Sequence, residues 1–206
     1  MAKPTSIYSV HPGVLTTQKW IATLKETTGR SLDEWLALVQ KKGGKDEPSR
    51  REWLKKVHGL GTNTAWWIAE RSVGKALRAG GPELYLSAAE RDVEAMFAGK
   101  KATLRPLYDA LLKLGLAAGK EAKACPCQTI VPLYRKHVFA QIKPSTNTRI
   151  DFGLALGDTK KTPKALIDTG GFAKKDRITH RFEITALDDI DADVKRWLKT
   201  AYDRDL

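Results

Sequence analysis

Trp53-Leu54-Lys55-Lys56-Val57-His58-Gly59-Leu60-Gly61-Thr62-Asn63-Thr64-Ala65-Trp66-Trp67-Ile68-Ala69 reads as two apolar helical runs joined by a Gly-x-Gly turn. Glycine reaches positive φ and tolerates close backbone approach, so the turn can be tight. The second helix starts straight after Gly61, and its first N–H groups have no partner inside the helix. Unpaired donors and the positive end of the helix dipole attract an anion at such a place. The plain alternative is a glycine that only caps one helix before the next.

On either side the pattern stays helical. Residues 1–15 contain Pro4, Pro12 and Gly13 without a period and read as an extended arm. A helix is expected from Thr17 to Thr27, with Trp20, Ile21 and Leu24 on one face. Ser31-Leu32-Asp33-Glu34 is a capping box, and its helix carries Leu32, Trp35, Leu36 and Val39 up to Gly43-Gly44. A second Ser-x-x-Glu box, Ser49 to Glu52, opens the helix that runs into Gly59. The helix after Gly61 is expected to run towards Leu77. Residues 16–79 thus form a helical domain, and Gly80-Gly81-Pro82 marks a linker over 80–86. Trp20, Trp35 and Trp53 fall on the apolar stripes and are expected in the core. Trp66 and Trp67 are adjacent, so one of them is the candidate for an exposed aromatic.

The remainder, 87–206, changes character. Ser87 to Glu90 is a third capping box, before a helix with Val93, Met96 and Phe97. Leu104, Leu107, Tyr108, Leu111, Leu112 and Leu114 follow helical spacing, with Pro106 in the first turn where its missing N–H is tolerated. From Gln128 the period becomes two. Gln128 to Tyr134, His137 to Lys143, Thr148 to Leu156 and Ile178 to Thr185 read as four strands. Residues 157–177 hold Gly157, Pro163, Gly170 and Gly171 among Lys160, Lys161, Lys164, Lys174, Lys175 and Arg177, which reads as a long basic loop. Asp188 to Asp193 precede a last helix with Val194, Trp197, Leu198 and Tyr202, and carboxylates suit its N-terminal dipole. The expected fold class is α+β: an all-helical N-terminal domain, then an antiparallel four-stranded sheet flanked by helices.

Composition bounds the function. The 206 residues are 42% hydrophobic with six tryptophans, enough for real cores. No apolar run is long enough for a membrane span, and no signal-peptide core precedes His11. Cys125 and Cys127 do not make a disulfide framework, so a reducing cytoplasm is expected. Net charge is +12, which suits a polyanionic partner. The excess is spread out. Residues 1–85 hold 14 Lys and Arg against 8 Asp and Glu, and residues 86–206 hold 22 against 16. A basic protein whose charge serves only solubility is the alternative.

The turn resembles the helix-hairpin-helix element, which holds a nucleic-acid phosphate on the amides of a Gly-hydrophobic-Gly hairpin. Gly59, Leu60, Gly61, Ala65 and Ile68 match that pattern. From about Thr17 onward the chain also resembles a bacterial two-domain family of unknown function. Thr28-Gly29-Arg30-Ser31-Leu32-Asp33-Glu34-Trp35-Leu36 and His58-Gly59-Leu60-Gly61 carry the likeness in the first part. Phe97-Ala98-Gly99-Lys100, Leu104-Arg105-Pro106-Leu107-Tyr108, Thr148 to Leu154 and Thr179-His180-Arg181 carry it in the second. That second part is similar to small α+β domains of the YdhG and MmcQ/YjbR type, which implies an antiparallel sheet flanked by helices. No established activity comes with the resemblance.

These readings leave three function classes. The first is binding of nucleic acid, DNA in particular, without sequence preference. Lys55, Lys56, Gly59, Leu60, Gly61, Asn63 and Arg71 would serve at the hairpin, and Lys160, Lys161, Lys164, Lys174, Lys175 and Arg177 in the loop. The second is a small-molecule ligand or substrate in a pocket on the sheet, near Tyr134, His137, Arg149, Asp151 and His180. A solvated face with a cross-strand ion pair is the plain alternative there. The third is a protein-interaction module presenting Trp66 or Trp67. Cys125-Pro126-Cys127 has too short a spacing for the usual zinc or redox pair. No Walker loop, zincin helix, nucleophile elbow or dinucleotide fingerprint is present. No metal, cofactor or catalytic residue is therefore assigned.

Overall fold

A computed structural model describes residues 6–74, 81–160 and 162–206. The chain divides into two units, one of residues 10–85 and one of residues 1–9 with 86–206.

The first unit opens with α1 (Pro12–Thr28), α2 (Leu32–Lys42), α3 (Glu47–His58) and α4 (Thr62–Ser72). Helix α1 starts earlier than its apolar spacing suggests. The His11 side chain accepts from Gly13 N at 3.0 Å, and Pro12 supplies a pre-set φ at the first position. Helix α2 has the expected box: Ser31 N donates to Glu34 Oε2 at 2.6 Å, and Glu34 N to Ser31 Oγ at 3.3 Å. Helix α3 is capped by Asp46, not Ser49. The Asp46 carboxylate accepts from Ser49 N at 2.9 Å, so Ser49 already lies in the first turn. Helix α4 ends at Ser72. Leu77, Gly80 and their neighbours lie outside the described residues.

Leu24, Trp35, Val39, Leu54, Ala65, Ile68 and Ala69 make the core, with Trp20, Trp53 and Leu60 packed against it. Trp66 is exposed, whereas Trp67 is half-buried and meets Trp20 edge-on at 4.6 Å. The His58 ring lies between Trp35, at 5.1 Å, and Trp53, at 4.6 Å. Its Nε2 is buried without a hydrogen-bond partner.

A residue the pattern gave no reason to single out, Arg50, ties three of these helices. Its Nε donates to Gly44 O at 2.7 Å, after α2. Its Nη1 donates to Ser72 O at 2.7 Å and Ser72 Oγ at 2.9 Å, at the end of α4. Gln40 Nε2 donates to the same Ser72 carbonyl at 2.7 Å. A cation on the last carbonyls of a helix also suits its dipole.

The second unit holds most of α5 (Pro82–Met96), a short 3-10 helix (Gly99–Leu104), α6 (Arg105–Leu116) and α7 (Ala192–Arg204) around one sheet. Residues 82–86, read above as linker, are helical from Pro82 on. The sheet is antiparallel and has six strands rather than four. They are β1 (Lys123–Ala124), β2 (Val131–Tyr134), β3 (Val138–Pro144), β4 (Ile150–Leu154), β5 (Ile167–Asp168) and β6 (His180–Ile184). Their order is β1-β2-β3-β4-β6-β5. The four expected strands are the inner ones. The added edge strands have two residues each, too few for any period to show.

Ile142, Phe152 and Phe182 stand in register across one face, flanked by Ile150 with Ile184 and by Ala140 with Leu154. This face is buried against α6 and α7. The β2–β3 pairing jumps from Leu133↔Ala140 to Tyr134↔Val138, so Phe139 is an extra residue. Such a bulge turns Phe139 towards the helices, where it meets Tyr202 of α7 at 5.2 Å, edge to face. Residues of the N-terminal arm belong to this unit. Tyr8 Oη and Tyr108 Oη share a hydrogen bond of 2.9 Å, and Ser9 N donates to Ala124 O at 2.8 Å. Helix α7 is capped by the Asp191 carboxylate, which accepts from Val194 N at 2.9 Å.

Arg50→Ala removes the tie and leaves the α4 carbonyl end without its cation. It should destabilise the helical unit by about 2 kcal/mol. Urea unfolding followed by tryptophan emission measures this, because five of the six tryptophans lie between residues 20 and 67.

His58 gives a pH dependence. Burial, then the nearby Arg30 and Lys42 charges, hold its pKa below the ordinary histidine value. The folded state therefore keeps His58 neutral while the unfolded chain takes up a proton near pH 6.5. This contribution is complete above about pH 6.5 and is lost as pH falls towards the depressed folded pKa. His11, lowered by burial, acts in the same sense. The urea midpoint should fall between pH 7.5 and 5.0, and His58→Gln should flatten that dependence. An unchanged slope in the variant refutes the assignment.

Candidate functional site

The α3–α4 hairpin is built from its three central residues. Gly59 has φ +66, a conformation that strains any side chain. Its N–H donates to Lys55 O at 3.0 Å, and Leu60 N donates to Leu54 O at 3.3 Å. This closes the end of α3 on itself and turns Leu60 inward against Leu54 and its neighbours. Gly61 then caps α4 without any side-chain hydrogen bond. Gly61, Thr62 and Asn63 are exposed. Among the described residues, a Cβ built at Gly59 or at Gly61 would meet nothing within 4 Å. The start of α4 is thus solvent-exposed and, among the described residues, carries no side-chain cap.

The cations assigned to the hairpin differ in availability. Lys55 and Lys56 each lie near Glu52, at 3.2 and 3.6 Å. Such surface pairs are weak and exchange readily with solvent or an anion. Arg71 is elsewhere: it lies at the far end of α4, about 15 Å from the turn at 1.5 Å per residue. Its Nη1 donates to Trp67 O at 3.1 Å, and burial holds its pKa below the usual arginine value. It supports α4 rather than the hairpin.

The basic loop is partly committed as well. Lys160 pairs with Asp158, and Arg177 with the buried Asp205, each at 2.5 Å. Lys164, Lys174 and Lys175 are exposed, and Lys175 holds φ +61. Lys161 lies outside the described residues.

The five residues expected near one pocket lie in different environments. Arg149 and Asp151 share the outer sheet face with Arg181 and Glu183. Arg181 Nη1 is 2.9 Å from Asp151 Oδ2 and its Nη2 is 2.8 Å from Glu183 Oε1. Arg149 Nη1 is 3.0 Å from Glu183 Oε1. Arg149 Nε and Asp151 Oδ1 are 3.0 Å apart as an ion contact without hydrogen-bond alignment. Ser145 Oγ donates to Asp151 at 2.6 Å. Two guanidinium groups and two carboxylates neutralise each other. His180 falls on the opposite, buried face, where Nδ1 meets Thr179 Oγ1 at 2.9 Å and Nε2 meets Thr159 O at 3.0 Å.

His137 pairs through Nδ1 with Asp205 at 3.0 Å, and its N–H donates to the same carboxylate at 2.8 Å. Burial alone would raise the Asp205 pKa. The His137 hydrogen bonds and Arg177 outweigh it, and the net shift is downward. Tyr134 stands near the two cysteines, and burial together with those thiols pushes it up to about 12. Burial also pushes the Cys125 thiol up to about 12, so it is protonated and unreactive at neutral pH.

A cleft of about 730 Å3 opens beside the end of α7, between Leu156, Phe172, Lys175, Arg177, Arg204 and Asp205. Among the described residues no group of three or more His, Cys, Asp and Glu is placed to hold a metal. Among them, too, no helix is long and apolar enough to cross a membrane.

Two family models match the chain. One is described as a domain of unknown function (DUF4287) and covers residues 16–71. The other, also described as a domain of unknown function (DUF5655), covers residues 93–205. No curated protein matches, and no solved structure matches. The first match falls on the helical unit and the second within the α+β unit. By the match that spans more than half of its length, the chain belongs to the family of the domain of unknown function DUF5655.

Proposed function

We propose that the protein binds nucleic acid, DNA in particular, through the phosphate backbone and without sequence preference. The observation that carries this reading is the uncapped start of α4. Among the described residues no side chain caps it, and Gly61, Thr62 and Asn63 are exposed at the Gly59-Leu60-Gly61 turn. On this reading the turn acts like a helix-hairpin-helix element. Leu60 is the internal anchor, the two glycines let a phosphate come close, and Lys55, Lys56 and Asn63 flank it. The overall charge of +12 supports the same partner. In the α+β unit, Lys164, Lys174 and Lys175 are the loop cations with charge to spare for a backbone. We also propose that this unit is related to the YdhG and MmcQ/YjbR type, on its antiparallel sheet with helices packed on a face. That kinship assigns it no activity.

Thr62→Pro is the sharp test. Gly61 has φ −60 and ψ 154, an extended conformation suited to the residue before proline. Proline at the first helical position keeps the helix and removes one outward N–H. The variant should retain its circular dichroism and lose about tenfold in affinity for a labelled duplex, the worth of one charge-assisted bond. Wild-type affinity, read by fluorescence anisotropy, should fall steeply with salt as counterion release requires. Absence of binding at low salt removes nucleic acid as the partner. Binding that survives Thr62→Pro undiminished but is lost in a Lys164/Lys174/Lys175→Gln variant removes the hairpin and leaves the loop.

A further inference from the structure

A second cleft, of about 550 Å3, lies in the α+β unit where the 3-10 helix, the β1–β2 turn and the end of β3 come together. Lys100, Lys101 and Lys143 line it with Gln128, Thr129 and Asn147. Its apolar wall includes Met96 and Pro144. No carboxylate is among its lining residues. The larger cleft beside α7 differs, because Asp176 and Asp205 there offset Lys175, Arg177 and Arg204.

The three lysines are not equivalent. Lys101 Nζ donates to Pro144 O at 2.6 Å, which fixes one ammonium on the wall. Lys143 stands in register with Asp151, the natural cross-strand partner. Asp151 is already occupied by Arg149, Arg181 and Ser145. Lys143 is thus left uncompensated by the ion network on its own sheet face. Lys100 and Lys143 are exposed. Among the described residues neither has a carboxylate within ion-pair distance.

Like charges gathered at one concavity repel one another and raise the local concentration of anions. Lysine binds phosphate as a point charge. The volume is within the range of small-molecule sites and larger than a bare phosphate needs. The apolar wall can take an organic portion.

We propose that this cleft binds a small phosphorylated organic molecule, its phosphate held between Lys100, Lys101 and Lys143. The site is separate from the hairpin and does not rest on nucleic-acid binding.

The test uses the full chain and isothermal titration calorimetry with pyrophosphate, adenosine 5′-diphosphate and adenosine. Pyrophosphate and the diphosphate should bind, and adenosine should not. A Lys100→Gln/Lys143→Gln variant, altered only at exposed side chains, should keep its thermal midpoint and lose at least about tenfold in affinity for the diphosphate. Thr62→Pro should leave that affinity unchanged, so failure of the hairpin reading and failure of this one are told apart. No heat at about 1 mM of either phosphate, a range that covers weak metabolite sites, overturns the proposal. So does affinity untouched by the double variant. Displacement of the diphosphate by duplex DNA, persisting in Thr62→Pro, would give the cleft to a nucleic-acid backbone and overturn the small-molecule assignment.

Discussion

The Arg50 guanidinium closes the helical unit. A unit of roughly 60 residues buries too little surface to be stable by area alone. Here the ends of α2 and α4 and the start of α3 meet on one cation that donates to Gly44, Ser72 and Gln40. The Gly44 and Ser72 acceptors are backbone carbonyls at or just past helix ends, where intrahelical donors run out, and Ser72 O also accepts from Gln40 Nε2. With the far ends held, α3 and α4 can lie together along their length, and their near ends are left to the Gly59–Gly61 turn. The exposed start of α4 at that turn therefore depends on an interaction at the opposite end of the same two helices. The Trp35, His58 and Trp53 rings stiffen the turn from inside, at the cost of a histidine that resists protonation.

In the α+β unit the governing constraint is charge compensation. The basic excess of the chain suggested cations everywhere, but many are committed. Arg149 and Arg181 are absorbed by Asp151 and Glu183 on the sheet, and Arg177 by Asp205. Arg105 is held by Glu94 and Asp109. Among the described residues of this unit, those outside such ion pairs include the lysines around the smaller cleft, Lys164, Lys174 and Lys175 of the loop, and Lys113, Lys120, Lys123, Lys136 and Lys195 elsewhere on the surface. A net charge counts what is present, whereas a binding surface depends on what is left after internal pairing.

The sequence shows the parts of this structure that have a period. The helical runs, the Ser31 box, the inner four strands and the Asp191 cap all follow spacing or cap chemistry that a short window contains. The turn was legible for the same reason, since Gly59 holds a positive φ that few other residues adopt; Gly61, in an extended conformation, has no such requirement. Arg50, Asp205 and the Tyr8–Tyr108 bond were not. Each joins positions far apart in the chain, and nothing in its immediate neighbours announces the partner. The edge strands β1 and β5 are too short to alternate. The grouping of Tyr134, His137, Arg149, Asp151 and His180 shows another limit. Alternation sets Asp151 and His180 on opposite faces only once the β4–β6 register is known. Lys100 and Lys143 come together through the same long-range pairing.

The bond between Tyr8 and Tyr108 spans 100 positions. Synthesis runs from the N-terminus at roughly 5–20 residues per second. Tyr8 therefore leaves the ribosome about 5–20 s before its partner exists. Ser9 waits longer still, for Ala124. In that interval the helical core, complete by Ala69, can close. The α+β unit cannot finish until Tyr8 and Ser9 have been retrieved, so two residues made before the helical core find their partners after it.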